Sequence, residues 1–490
     1  MMGRHPPPQG KLFYTNVNLE KRIRPSHPLR RISHLIDFDF IYQEVAATYG
    51  ANGNVSVPPP VILKLMLLLV FYNVRSEREL MDTLPERLDW LWFLGYDLDT
   101  EIPNHSVLSK ARHRWGAIVF KAFFERIVWQ CVQAGLVDGR KLFVDASLIE
   151  ADASNNSVVD TQSLKHQLRA RYKEFERRLD EPDDLSPGAG TYGHVNKRFR
   201  STTDPDAAIV RQGRPTLTYK THRAVDSTAE VITATAVTPG DVNEAHLLLA
   251  LADAHQANTG CGAHTVVADS KYGTIENFLA CHDRGIAAHL PDLKKAADKR
   301  AAQRKKFPDT LFVYDPETDT YRCPAGQRLK RKSLHMKRQS ADYAAPKTVC
   351  AACALRPHCT QNKMGRSIKR HLRQDDLDKM RALSKSPPAK RDIRIRQHLM
   401  ERSFARATRY GFSRARWRGR WRVEIQEYLT AAIQNIEVLI RYGRDPRKRP
   451  AMLIRNRRKA KDYFTHLVSI FVHAGAHPVR HTEMNRWLVS

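Results

Sequence analysis

The chain has 490 residues, enough for two or three domains with substantial cores, and its 42% hydrophobic content suits a globular protein. With 81 Lys+Arg against 52 Asp+Glu the formal net charge is +29, which points to a polyanionic partner, nucleic acid before an anionic membrane. The longest apolar run, residues 61–74, is interrupted by Lys64 and too short to cross a bilayer, and no secretory signal opens the sequence. Seven cysteines, an odd number unevenly spaced, argue for a reducing compartment, so the expectation is a cytoplasmic protein with no membrane partner.

The first 50 or so residues run from a Pro-rich terminus into RIRPSHPLRRISHLIDFDFIYQEVAATYG, which contains an amphipathic helix. Pro58 to Pro60 then start a helix through Val61, Leu65, Leu68, Leu69 and Tyr72, apolar on so wide a face that it reads as a core helix. Ser76 with Glu79 forms a capping box for the next helix, and Pro103-Asn104 opens a third, HSVLSKARHRWG. Its period sends Val107, Leu108, Ala111 and Trp115 inward and leaves Lys110, Arg112 and Arg114 outward as candidate DNA contacts. A helix-turn-helix-like DNA reader and a plain helical bundle with a solvated basic face both fit. Residues 117–134 read as a linking helix.

KLFVDASLIEADAS, residues 141–154, reads as an interior strand interrupted by Asp145. A carboxylate in such a place needs a cation or several hydrogen bonds, although a strand-end aspartate capping a turn fits this segment equally well. Residues 160–215 are polar and Arg/Lys-rich and read as an inserted charged helix and loop. LTYKTHRAVD and residues 231–237 then alternate as an antiparallel hairpin, and TPGDVNEAHLL starts a helix with Asp241 near its N-terminus. HTVVADSKYGTIENFLACHDRG reads as a buried strand ending at Asp269, a loop with Gly273 and a helix capped by Thr274, with GIAAHLPD as a further strand. If the strands of Asp145 and Asp269 are neighbours, their carboxylates repel, and a divalent cation is the simplest way to keep both ionised.

Residues 294–373 carry Cys323, Cys350, Cys353 and Cys359 in YRCPAGQRL and CAACALRPHCT. Four soft ligands in a poorly hydrophobic segment favour a structural zinc ribbon; reduced cysteines without metal, or His358 in place of one cysteine, are the alternatives. Cys131, Cys261 and Cys281 lie in apolar segments and read as core residues. Between residues 390 and 422 the only acids among many cations are Asp392 and Glu401. Glu401 sits on the shoulder of the stripe Ile393, Met400, Phe404 and Ala407, where it can enter a cleft as a third acid or bond Gln397 or His398 one turn back on a solvated face. Residues 423–441 form a long amphipathic helix, followed by a basic linker and a tail.

The order VDASLIEADAS, VVADSKYGTIENF and MERSFARATRYGFSRARWRGRWRVEIQEYL resembles the DDE transposases of bacterial insertion sequences, as do RSERELMDTL and PNHSVLSKARHR upstream. The resemblance implies an α+β fold with a ribonuclease H-like mixed sheet and packed helices. It places a helical DNA-binding domain at 1–135 and the catalytic domain at 136–293 and 374–445, broken by a cysteine-bearing insertion at 294–373 and followed by a basic tail at 446–490. It also implies Asp145, Asp269 and Glu401 as the ligands of two Mg2+ ions that drive strand cleavage and transfer. The implied partner is double-stranded DNA, at element ends and target, bound by a homodimer or larger assembly in the bacterial nucleoid. Relatives often place a Tyr, an Arg and a Lys around the Glu; here those positions hold Arg394, Gln397 and Thr408, with Arg396 and Arg409 one residue away as substitute phosphate contacts. A rival of another class is a catalytically silent DNA-binding regulator derived from a transposase, which needs the charge but not three acids.

Overall fold

The computed structural model describes residues 2, 18–50, 55–161, 198–292, 303 and 306–442. Helices α1 (Pro28–Leu35), α2 (Pro59–Phe71), α3 (Glu77–Thr83), α4 (Leu88–Leu94) and α5 (Ser106–Gln133) precede the first strand. The local signals work as the sequence suggests: Pro occupies the first turn of α2, where its missing N–H costs nothing, and Ser76 Oγ accepts from Glu79 N at 3.1 Å to cap α3. The expected third helix and the linking helix differ in one respect, for they join as α5 across a bend at Gly116. There φ is 64° and ψ −172°, a conformation essentially restricted to glycine.

The central sheet contains β1 (Lys141–Glu150), β4 (Ala208–Gln212), β5 (Arg214–Asp226), β6 (Ile232–Pro239), β7 (Thr265–Val267) and β8 (Ala287–His289). Its order is β4-β5-β1-β7-β8, with β6 also on β5. β1 is antiparallel to β5 from Leu142↔Asp226 to Glu150↔Thr218, and parallel to β7 only from Lys141↔Thr265 to Phe143↔Val267. Of the segment expected as a charged insertion, residues 162–197 lie outside the described residues. Its flanks are strands instead: β3 (Phe199–Ser201) pairs with β2 (Val158–Asp160), and β4 edges the main sheet. Their alternation is short and masked by charge in the sequence. The basic linker and tail also fall outside the described residues.

Successive residues of β1 point to opposite faces, which gives the sheet two apolar layers. Leu142 and Val144 pack with α6 (Leu248–Thr259), α7 (Ile275–Asp283) and α8 (Gln374–Ser384) through Leu251, Phe278, Leu377 and Met380. Phe143, Val225 and Val267 pack on the other side against α9 (Pro387–Thr408) and α10 (Arg420–Tyr442). On α10, Ile425, Leu429, Ile433 and Ile436 are buried as their period predicts, and the same cluster continues into Leu63, Leu67, Phe120 and Phe124 of α2 and α5. Each such side chain contributes about 1.5–3 kcal/mol when fully buried, so the N-terminal helices and the sheet are fastened by one shared core. Among the described residues no helix is long and apolar enough to cross a membrane.

One buried ion pair crosses this layer. Arg223, opposite Asp145 in the β1–β5 register, donates from Nε and Nη2 to Glu427 Oε1 and Oε2 at 2.7 and 2.8 Å, and from Nη1 to Ser403 O at 3.1 Å. Thr235 Oγ1 donates to Glu427 Oε1 at 2.7 Å. The bidentate fork ties β5 to α9 and α10 with both charges out of water.

A separate antiparallel sheet carries the cysteines: β9 (Val313–Asp315), β10 (Thr320–Arg322), β11 (Arg328–His335), β12 (Ser340–Ala344) and β13 (Ser367–His371), ordered β13-β12-β11-β10-β9. It has a small core of its own in Phe312, Tyr321, Leu329, Tyr343 and Ile368. We expect Arg223→Ala or Glu427→Ala to cost roughly 3–5 kcal/mol in chemical denaturation, since either leaves an uncompensated buried charge, whereas Arg223→Met with Glu427→Met should cost much less than the two losses added.

Candidate metal centre

Because β1 and β7 are parallel and in register at Phe143 and Val267, the next inward positions bring Asp145 and Asp269 level with each other. β7 ends at Val267, so β1 is open-edged at Asp145 on that side until Glu150 N donates to Ser413 O at 3.1 Å and Ala415 N to Glu150 O at 2.7 Å. Asp269 caps a single turn, Ser270–Tyr272, its Oδ1 accepting from Lys271 N at 2.9 Å. That turn closes against Pro291: a Cβ on Gly273 would stand 2.2 Å from the Pro291 carbonyl oxygen.

The third carboxylate is Glu244. Past the end of β6, Asn243 caps the turn Glu244–Leu247 by accepting from Ala245 N at 3.1 Å, and Asn277 Nδ2 clamps that turn to the Asp269 loop, donating to Ala245 O at 3.0 Å and Tyr272 O at 2.9 Å. Oxygens of Asp145, Glu244 and Asp269 all lie within 4.8 Å of one another, the one such ligand group among the described residues. Three cations answer them. Arg396 Nη1 donates to Asp145 Oδ2 at 2.6 Å, Lys271 Nζ to Glu244 Oε1 at 2.8 Å, and Lys220 Nζ lies 3.4 Å from Glu244 Oε1. Burial pushes the Asp145 carboxyl up to about 6, with Asp269 and Glu244 adding repulsion while Arg396 and the Ala146 N–H oppose it. The hydrogen bond to Glu244 raises the Lys271 ammonium. Burial, then the same three carboxylates, raises Tyr272, whose buried hydroxyl has no hydrogen-bond partner among the described residues.

Of the acids expected from sequence, Asp145 and Asp269 meet and Glu401 stays outside. Glu401 does lie on α9, the helix packed across β1, β7 and β8, but its carboxylate is exposed and accepts from Gln397 Nε2 at 3.1 Å. The helix turns Arg396 to the sheet, and residues five apart face well away from each other, so Glu401 points outward. Glu244 was legible only as a first-turn acid beside Asp241; nothing local announces that it folds back onto the two aspartates.

The basic candidates divide in the same way. Lys110, Arg114, Arg394 and Arg409 are exposed. Arg112 is not: it is 4% exposed, paired with Glu77, and stacks 4.2 Å from the Trp417 ring centroid. Arg112 is therefore a tie between α5 and the segment joining α9 to α10, and not an available DNA contact; helical period alone placed it outward because the Trp417 segment covers that face. Arg396 is turned to Asp145. Cys323, Cys350, Cys353 and Cys359 line one apolar cavity, and the Cys359 thiol is raised by burial first and then by the other three sulfurs. His358 packs by Phe307.

Two family models match the sequence: one described as Transposase domain (DUF772) over residues 17–114, the other as Transposase DDE domain over residues 322–440. The two matches support an insertion-sequence DDE transposase and, with it, a transposase function with DNA as substrate. The second match runs from the end of β10 through β11–β13, α8, α9 and most of α10; Asp145, Glu244 and Asp269 lie between the two matches. No curated protein and no solved structure matches the chain. Arg112→Ala should lower the thermal midpoint and leave Glu77 uncompensated, at a cost of roughly 3–5 kcal/mol, whereas Lys110→Ala should leave the midpoint nearly unchanged.

Proposed function

We propose that the protein cleaves DNA strands at the ends of an insertion sequence and joins them to target DNA, with divalent cations held at Asp145 and Asp269. The observation that carries this is the convergence of the two aspartates from neighbouring parallel strands, with a third carboxylate in reach. The order β6-β5-β1-β7-β8, antiparallel through β1 and parallel after it, supports a ribonuclease H-like catalytic domain.

The residues fit Mg2+: the donors are all hard carboxylate oxygens within 4.8 Å of one another, and an orphan hydroxyl adjoins them. When bound, Mg2+ supplies activation of the attacking water or 3′-hydroxyl and stabilisation of the leaving oxygen. The chain's own groups do the rest. Asp145 and Asp269 fix the centre to two strands, and Arg396, one helix face away, can pass from Asp145 to a phosphate. Lys110, Arg114, Arg394 and Arg409 present charge to the DNA backbone, so binding should weaken steeply with salt. Glu401, the acid the resemblance assigns, stands on the same helix and acts in this proposal once DNA is bound.

The four cysteines line one cavity without meeting at the 4.8 Å spacing of the carboxylates; four thiolates are a zinc donor set in kind, and a structural zinc ion would have to draw them together. Zinc would join the start of β11's hairpin to the two short helices Lys347–Ala351 and Arg356–Cys359.

Asp145→Asn and Asp269→Asn should each abolish cleavage of end-containing DNA in Mg2+ while retaining end binding in a mobility-shift assay; cleavage at the wild-type rate in either would remove that residue from the centre. Elemental analysis of protein purified without added zinc should find about one zinc per chain, lost in Cys350→Ser or Cys353→Ser together with protection of residues 306–371 from proteolysis. A fully folded, zinc-free protein overturns the zinc assignment.

A further inference from the structure

We propose that Glu244 is the third oxygen ligand of the cation centre in the free protein, completing with Asp145 and Asp269 a site that does not require Glu401. The proposal rests on the cation-dependent reading above and adds to it a residue outside both transposase matches.

Four observations lead to it. First, Glu244 reaches the aspartates from a third element, and the three sets of oxygens lie within 4.8 Å of one another, a spacing one hard cation can bridge. Second, Glu244 is 4% exposed and held from several sides: Asn243 caps its turn, Asn277 ties that turn to the Asp269 loop, and Lys220 binds Val242 O at 2.7 Å just before it. A carboxylate so held is preorganised, since little side-chain freedom remains to be lost on binding. Third, Tyr272, on the same loop as Asp269 and wholly buried, has a hydroxyl with no partner among the described residues, and the charges acting on it are Glu244, Asp145 and Asp269, opposed by Arg396. A buried donor left over beside three acids is matched by an oxygen brought in with the cation, such as a bound water. Fourth, Glu401 bonds Gln397 on an exposed helix face.

A competing role is purely electrostatic, with Glu244 present only as partner of Lys220 and Lys271. Ligand and counter-charge differ in their tolerance of geometry. Glu244→Asp keeps the charge and its lysines but withdraws the oxygens by one methylene, which a metal ligand does not tolerate and a counter-charge does.

The test is Mn2+ binding to the full-length protein without DNA, followed by calorimetry and by the loss of the free Mn2+ spin-resonance signal, with unfolding curves for every variant. Glu244→Gln should weaken Mn2+ binding by at least about tenfold, comparably to Asp145→Asn and Asp269→Asn, while Glu401→Gln stays within about twofold of wild type. Glu244→Asp should also bind several-fold more weakly, and it carries the test if Glu244→Gln does not fold. Wild-type affinity in Glu244→Asp, or a loss in Glu401→Gln as large as in Asp145→Asn, overturns the assignment of Glu244 and leaves the two aspartates standing. Wild-type affinity in Asp145→Asn and Asp269→Asn as well would instead remove the cation-dependent reading itself.

Discussion

A ten-residue strand paired over three residues on one side is the constraint on which the rest depends. Had β7 continued, Asp145 would sit inside a closed sheet, its carboxylate facing a layer of apolar side chains with no route to a ligand. Because β7 stops at Val267, the chain turns at the level of Asp145, Asp269 caps the turn, and the remaining edge of β1 is covered only further along by the segment joining α9 to α10. The opening is narrow, which explains the electrostatics. Asp145 is buried enough for its carboxyl to be pushed up to about 6, yet within 2.6 Å of Arg396 and beside two further acids.

The elements matched as transposase domains are not beads on a string. Helix α2 and the first turns of α5, from the N-terminal match, share one apolar cluster with the rest of α5, with α10, from the C-terminal match, and with Phe143 and Val267 of the sheet. Arg112 and Trp417 add a stacked, ion-paired contact across the same junction, and Arg416 donates to Val74 O at 2.5 Å. DNA held by exposed cations of α5 would therefore be held in a fixed relation to the open edge of β1. The matches flank the carboxylates in sequence, and the core closes over that gap in space.

Local periodicity carried much of this. The buried run of α2, the capping box of α3, the hairpin of β5 and β6, the Thr274 cap and the inward stripe of α10 depend on neighbours within a turn or a strand, so they are readable from the chain alone. Asp145 and Asp269 stood out because each ends or interrupts an apolar run. What failed was tertiary. Arg112 has the period of a solvent-facing residue and is covered by a segment some 300 residues later. Arg223 lies in an alternating strand with no mark of the bidentate partner on α10. Glu244 was hidden by its surroundings, for an acid in the first turn of a helical stretch is ordinarily explained by the helix dipole. Glu401 shows the converse: a lone acid in a cationic helix draws attention in the sequence, while the rotation that turns it outward is set by tertiary contacts.

Those contacts are on α9 itself. Asp392 accepts from Lys141 Nζ at 2.9 Å and faces His289 Nδ1 at 2.7 Å, so it pins the helix to β1 and β8 one turn before Arg396 reaches Asp145. Ser403, two turns after Arg396, accepts from Arg223 Nη1 at its carbonyl oxygen. Three anchors at 392, 396 and 403 fix the rotation of the helix, and Arg394, Gln397 and Glu401 are left facing outward as a consequence. Only the middle anchor is made to a residue of the carboxylate group. Were Asp145 to hold a cation, Arg396 would be released without loosening the helix, because the outer anchors at Asp392 and Ser403 remain. Its guanidinium would then lie beside Asp145, within reach of a phosphate at the open edge of β1.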